Sequence, residues 1–112
     1  MTEEEHAVFR AEHNGHHVLV AVRSHADLMA AVERIMQHSI AKKSAFVYKS
    51  ADGYIQASSR GRIYLYHSSG GAFEQLRGME FHFAAVAPDV DLGVLDEIRV
   101  RVRLSGSQDA RN

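Results

Sequence analysis

EHAVFRAEHNGHHVLVAV, residues 5–22, decides how the rest of the chain is read. Asn14-Gly15 lies between two runs rich in apolar residues. Asn-Gly is the strongest two-residue hairpin signal, because both turn positions need positive φ. A two-residue turn sets Ala7 opposite Val22, Phe9 opposite Val20 and Ala11 opposite Val18, six apolar residues on one face. The other face, with Val8, Arg10, Glu12, His17, Leu19 and Ala21, is mixed. The stretch reads as an opening β-hairpin, and it casts the later strand-like segments as additions to an antiparallel sheet.

Outward from the hairpin, Ser24 is a good N-cap with Asp27 three residues on, and Leu28, Val32, Ile35, Met36 and Ile40 keep helical spacing. This predicts one main helix from Ser24 to about Lys42, packed on one face of the sheet. A meander comes next. Asp52-Gly53 reads as a two-residue turn and Ser59-Arg60-Gly61 as a three-residue loop with glycine in the left-handed position. Phe46, Tyr48, Ile55, Ala57, Ile63 and Leu65 then share one face. Val47, Lys49, Tyr54, Gln56, Ser58, Arg62, Tyr64 and Tyr66 share the other. Ser68 to Gly71 breaks the strand, Ala72 to Arg77 fits one helical turn, and Met79 to Val86 alternates as a strand. Ile98, Val100, Val102 and Leu104 alternate with Arg99, Arg101 and Arg103, the pattern of a half-buried last strand. The expected class is α+β: a single domain over residues 1–112, ββ-α-βββ-ββ, mostly antiparallel, with loose ends at 1–5 and 105–112.

Composition sets the function classes aside. The 112 residues carry 13 Lys and Arg against 14 Asp and Glu, a net charge of −1, so the chain is no polycation. It has no cysteine, which removes disulfides, thiolate metal sites and a cysteine nucleophile. No apolar run is long enough for a bilayer, and the acidic start Thr2-Glu-Glu-Glu5 does not resemble a secretory leader, so the expected setting is cytoplasmic.

Histidine is over-represented, with eight residues, three of them at His13, His16 and His17. In the hairpin register only His13 and His16 converge, too few for a stable zinc site, and no metal or cofactor is expected. His82 with Asp89, Asp91, Asp96 and Glu97 supplies acid–base groups without any diagnostic spacing, and no catalytic motif is present. Ser68-Ser69-Gly70-Gly71 has the composition of a phosphate-binding nest and equally of a plain turn.

The most informative feature is the polar face of the meander. Tyr54, Tyr64 and Tyr66 share it with Lys49 and Arg62, and the last strand adds Arg99, Arg101 and Arg103. Tyrosine and arginine on an open face suit a protein interface, a stacking platform for single-stranded nucleic acid, or a solvated surface. The reading taken forward is a small non-enzymatic binding domain (inhibitor, regulator or scaffold) whose protein partner presents an acidic surface. Val8, Leu19, Ala84 and Val86 on the secondary faces favour a homodimer or a partner that covers them. Single-stranded nucleic acid on the same face, and a small ligand-binding or enzymatic domain using His82, stay open as alternatives.

Overall fold

Residues 3–14 form a helix, α1 (Glu3–Asn14), where a hairpin arm was expected. Thr2 caps it: the Glu5 N–H donates to the Thr2 hydroxyl at 3.1 Å, and the Thr2 N–H donates to the Glu5 carboxylate at 2.8 Å. That reciprocal pair satisfies two main-chain donors, and Glu3, Glu4 and Glu5 place negative charge at the positive end of the helix dipole. Gly15, at φ +70°, closes the helix by bonding to the Arg10 carbonyl. The positive φ signalled by Asn-Gly therefore ends a helix instead of turning a hairpin, and residues 2–5 are a capped helix start instead of a loose lead-in.

The computed structural model describes residues 2–70 and 79–105, and for 101–105 the helix backbone alone. After α1 come β1 (His17–Val22), α2 (His25–Ala41), β2 (Val47–Lys49), β3 (Tyr54–Gln56), β4 (Arg62–His67), β5 (Phe83–Val86) and α3 (Leu92–Ser105). The fold is α+β, as expected. Its five-stranded sheet is mixed, however, in the order β2-β3-β4-β1-β5. β1 is an inner strand and runs parallel to both neighbours, with His17 opposite Arg62 on β4 and Val18 opposite Phe83 on β5.

The predicted central helix is present as α2, with the Asp27 N–H donating to the Ser24 hydroxyl at its start. Leu28, Val32 and Ile35 are buried as the spacing predicts, whereas Ile40 is 75% exposed at the last turn. The meander is also present, with both registers displaced from the expected ones. Val47 pairs with Gln56, so the β2–β3 connection is longer than two residues; Gln56 pairs with Arg62, so the β3–β4 loop runs from 57 to 61. Each register is displaced by two residues, and a displacement by two keeps every side chain on its expected face.

Two C-terminal expectations are corrected. Only Phe83–Val86 of the 79–86 run is strand. The 98–104 run is helical and belongs to α3. Asp91 starts that helix: its carboxylate accepts from the Gly93 N–H at 3.2 Å and its carbonyl from the Leu95 N–H at 3.0 Å. Val94 and Ile98, four residues apart, then face the sheet together. Burial of Ile98, 2% exposed, contributes about 1.5–3 kcal/mol. The arginine-bearing segment thus neither blunts a sheet edge nor offers one for pairing in a homodimer. The one-turn helix expected at 72–77 and all of the loose tail expected at 105–112 except Ser105, which ends α3, lie outside the described residues.

Three layers result. On one face α1 and α2 contribute Ala7, Val8, Ala11, Leu28, Val32 and Ile35 against Val18, Val20, Ile55, Ile63 and Leu65. On the other, α3 packs Ile98 and Val94 on Leu19, Ala21, Tyr64, Tyr66 and Phe81, with Ala84 and Val86 beside them. One helix on one face was expected; the apolar secondary face is covered by α3 of the same chain. Among the described residues no helix is long and apolar enough to cross a membrane.

Candidate functional site

The sheet register sorts the α3 face into rows. Val47, Gln56, Arg62 and His17 are successive cross-strand neighbours in the first row, and Lys49, Tyr54, Tyr64, Leu19 and Ala84 in the second. Tyr66, Ala21 and Val86 form the third. α3 covers the third row and the β1 side of the second. What stays open is the half carried by β2, β3 and the start of β4: Val47 is 51% exposed, Lys49 exposed, and Tyr54, Gln56 and Arg62 half-buried.

Arg62 is the fixed point of this open half. Its guanidinium lies over the Tyr54 ring, 4.4 Å from the centroid, a cation–π contact. Its Nε donates to Gln56 Oε1 at 3.1 Å and one terminal nitrogen donates to the Tyr64 hydroxyl at 3.2 Å. Gln56 is itself oriented, because its amide nitrogen donates to the Ser58 and Gly61 carbonyls at 2.7 and 3.2 Å. This fixes its oxygen toward Arg62. The Tyr64 hydrogen bond, ahead of all other influences, raises the Arg62 pKa above its ordinary value. Among the described residues no carboxylate comes within 4.0 Å of that guanidinium. Two of its five N–H groups are engaged and three are left to point elsewhere. Such a preorganised fork matches a carboxylate or phosphate presented from outside.

Three of the expected site residues therefore meet: Tyr54, Arg62 and Tyr64. Their roles differ from the expected ones. Tyr64 is 6% exposed and Tyr66 1%, so neither ring is a surface anchor; Tyr64 instead orients Arg62, and Tyr66 packs beneath α3. Burial pushes the Tyr66 hydroxyl pKa up, and Asp91 adds to the shift. Arg99 is exposed on α3 and lies 4.0 Å from Asp96 of the same helix. The side chains of Arg101 and Arg103 lie outside the described residues. A helix also removes the shared outward face that alternation on a strand would have given Arg99, Arg101 and Arg103.

Sequence reasoning missed Gln56 and His17 as members. Gln56 was placed on the correct face, but only the observed register sets it beside Arg62. His17 enters through parallel pairing of β1 with β4, which no turn signals.

The histidines gather nearby, at the end of the sheet where β1, β4 and β5 begin. The rings of His16 and His82 stack at 4.3 Å with 8° between planes, and His17 stands edge-on to His82 at 6.4 Å and to Tyr64 at 5.8 Å. The His17 N–H donates to His82 Nδ1 at 3.1 Å, and the His82 N–H donates to the His17 carbonyl at 2.8 Å. Burial holds the His16 pKa below 6.5, helped by His82 and Arg10. Burial likewise lowers that of His17, with Arg62 and His82 acting in the same direction and a main-chain hydrogen bond at Arg60 opposing. Among the described residues no group of three His, Asp or Glu is arranged to hold a metal ion.

Of the alternative catalytic grouping, His82 is set apart from Asp89 and Asp91. His82 precedes β5 while Asp89 and Asp91 follow it, so about 13 Å of strand separates them. The Ser68–Gly70 segment is a single 3-10 turn. The Ser69 N–H is taken by the Arg23 carbonyl at 2.8 Å, so this amide is not available to a phosphate; Gly71 lies outside the described residues. No family model, no curated protein sequence and no solved structure matches the chain.

Proposed function

We propose that this chain is a small non-enzymatic binding domain (an inhibitor, regulator or scaffold) that docks an acidic protein surface on the open half of its α3-side sheet face. The observation that supports this is Arg62, stacked on Tyr54, oriented by Gln56 and Tyr64, and paired with no carboxylate among the described residues. An arginine ordered before its partner arrives loses little conformational freedom on binding, and desolvated arginine–carboxylate contacts rank among interface hot spots. Val47 and the Lys49 stem add apolar contact and a second positive charge at the rim. The proposal includes a cytoplasmic setting, in keeping with a chain free of cysteine.

Single-stranded nucleic acid is less well supported. One face of the Tyr54 ring is occupied by Arg62, and Tyr64 and Tyr66 are buried. The test is affinity capture from native host lysate, with and without nuclease, using the wild type and Arg62→Glu. A protein retained after nuclease and lost with Arg62→Glu supports the reading. Retention that disappears with nuclease transfers the face to nucleic acid, and retention indifferent to Arg62→Glu overturns the assignment of the site.

A further inference from the structure

β5 ends the sheet on one side: it spans four residues and pairs only with β1. The Ala87 N–H donates to the Ala21 carbonyl at 2.9 Å, so the alternation of a parallel ladder turns the main-chain groups of Ala84 and Val86 away from β1. No described strand takes up those N–H and C=O groups. An edge of this kind is ordinarily blunted by a charge, a proline or a bulge. Phe83-Ala84-Ala85-Val86 carries neither charge nor proline, whereas β2, at the opposite edge, is three residues long and ends on Lys49.

The flank of α1 beside this edge carries opposite charges two turns apart. Arg10 stacks on the Phe83 ring, 4.9 Å from its centroid, and its Nε donates to His6 Nε2 at 3.4 Å. His6 packs on the same ring at 4.9 Å. Glu3, seven residues before Arg10, projects from the same side of the helix and lines a cavity at the C-terminal end of β5 with Ala87 and Pro88. Among the described residues neither Glu3 nor Arg10 has an ion-pair partner within 4.0 Å. Two helical turns set them roughly 10 Å apart along the axis, too far to pair with each other. Phe9, three residues on from His6, is 45% exposed.

We infer that the β5 edge and the adjoining flank of α1 form a self-association surface, whose partner is a second copy of this chain paired antiparallel along β5 about a two-fold axis. Such an axis runs perpendicular to the sheet, joins the two sheets into one, and lays α1 antiparallel beside its copy on the same face. Antiparallel helices bring the Glu3 of each copy to the Arg10 of the other. The surface is thus complementary to itself: each charge finds the partner its own chain does not supply, and the contact is made twice. His6 and Phe9, between the two charges, come to the middle of the helix pair. Phe83 and His6 order the arginine in advance, which limits the entropy lost on pairing. The inference does not rest on the binding function proposed above, because Arg62 is on the α3 face of the sheet and α1 packs on the other.

The test is sedimentation equilibrium of the full chain over a concentration series, in the wild type, Arg10→Glu and the charge swap Glu3→Arg/Arg10→Glu, with circular dichroism of each to verify folding. The wild type is expected to dimerise. In Arg10→Glu the dimer dissociation constant is expected to rise about tenfold or more, because the two-fold axis repeats the lost pair. The swap restores opposite charges across the interface and is expected to recover most of that loss. A wild type that stays monomeric up to about 1 mM overturns the proposal and leaves the β5 edge to a strand of another protein. A dimer indifferent to Arg10→Glu, or a swap no tighter than the single variant, also overturns it. Amide hydrogen exchange of the wild type provides a second check that needs no variant. Protection of the Ala84 and Val86 amides must rise with protein concentration, and protection that stays unchanged across the dimerisation range overturns the pairing.

Discussion

The main chain of Gly61 lies against the carbonyl of Ala11, at the last turn of α1, so closely that a β-carbon added at Gly61 would overlap the carbonyl oxygen. Ser58 seals the contact: its hydroxyl donates to the Ala11 carbonyl at 2.9 Å and accepts from the Gly61 N–H at 2.8 Å. The glycine is needed for close approach and has no positive φ, which among the described glycines occurs at Gly15 and Gly53. Gly61→Ala is therefore expected to destabilise by about 2–3 kcal/mol through overpacking of backbone on backbone, and Ser58→Ala by about 1–2 kcal/mol. Urea unfolding midpoints at unchanged slope measure both; an alanine at 61 as stable as the wild type would mean that the loop and α1 do not touch.

Ser39 is the buried polar side chain of α2. Its hydroxyl donates to the Ser44 carbonyl at 3.0 Å and accepts from the Phe46 N–H at 3.2 Å, tying the end of the helix to the entry of β2. Ser39→Ala leaves a buried N–H without its acceptor, and a loss of about 1–3 kcal/mol is expected. Ser39→Thr keeps the hydroxyl, so in thermal unfolding it should lie nearer the wild type.

At the start of α1, Thr2→Ala removes the capping hydroxyl, and about 1 kcal/mol should be lost. The Glu5 carboxylate, whose pKa is lowered chiefly by its main-chain hydrogen bond at Thr2, should titrate closer to its ordinary value of 4.5 in Thr2→Asn if that bond to the Thr2 N–H weakens, and should stay low if it persists. Carbon-13 NMR of the Glu5 carboxyl distinguishes the two.

His16 and His17 both titrate below 6.5 in the folded chain because burial disfavours the charged ring. The unfolded chain takes up these protons first. The stability the neutral rings contribute is thus complete above pH 6.5 and is lost as pH falls through their folded values. Denaturation at pH 7.5, 6.5 and 5.5 should show a decline that is smaller in His16→Asn. A flat profile in the wild type would contradict the burial of these rings.

Arg62→Lys tests how the open face recognises charge. Lysine keeps the positive charge but loses the fork that engages Gln56 and Tyr64 together. Partner affinity should fall about tenfold or more while the urea midpoint barely moves, because the site is at the surface. Equal losses in both measurements would make Arg62 a structural residue.

Legibility of this chain depended on which signals have a single structural meaning. α2 was readable because Ser24, Asp27 and the Leu28–Val32–Ile35 spacing all indicate a helix. The meander faces were readable because each register differs from the expected one by two residues, and pleating hides a displacement of two. Asn14-Gly15 was misread because positive φ serves a helix cap as well as a hairpin turn, and the capping pair Thr2 and Glu5 distinguishes them. The 98–104 alternation was misread because Val94 and Ile98 carry the helical period just upstream of it. Of the site, the Tyr54–Arg62–Tyr64 grouping was legible. The burial of Tyr66 was not, since it depends on a helix from the other end of the chain, nor was the place of His17, which depends on parallel pairing.

β1 also constrains the order of assembly. Its partners, Arg62 to His67 and Phe83 to Val86, come tens of residues later, and closing loops of that length opposes early pairing entropically. The antiparallel β2–β4 unit, joined by short connections, can form without it. A chain emerging from the ribosome would have α1, β1 and α2 made while β1 still had no neighbour on either side. Its run of five buried residues, Val18 to Val22, would then be the segment most in need of shielding until β4 arrives.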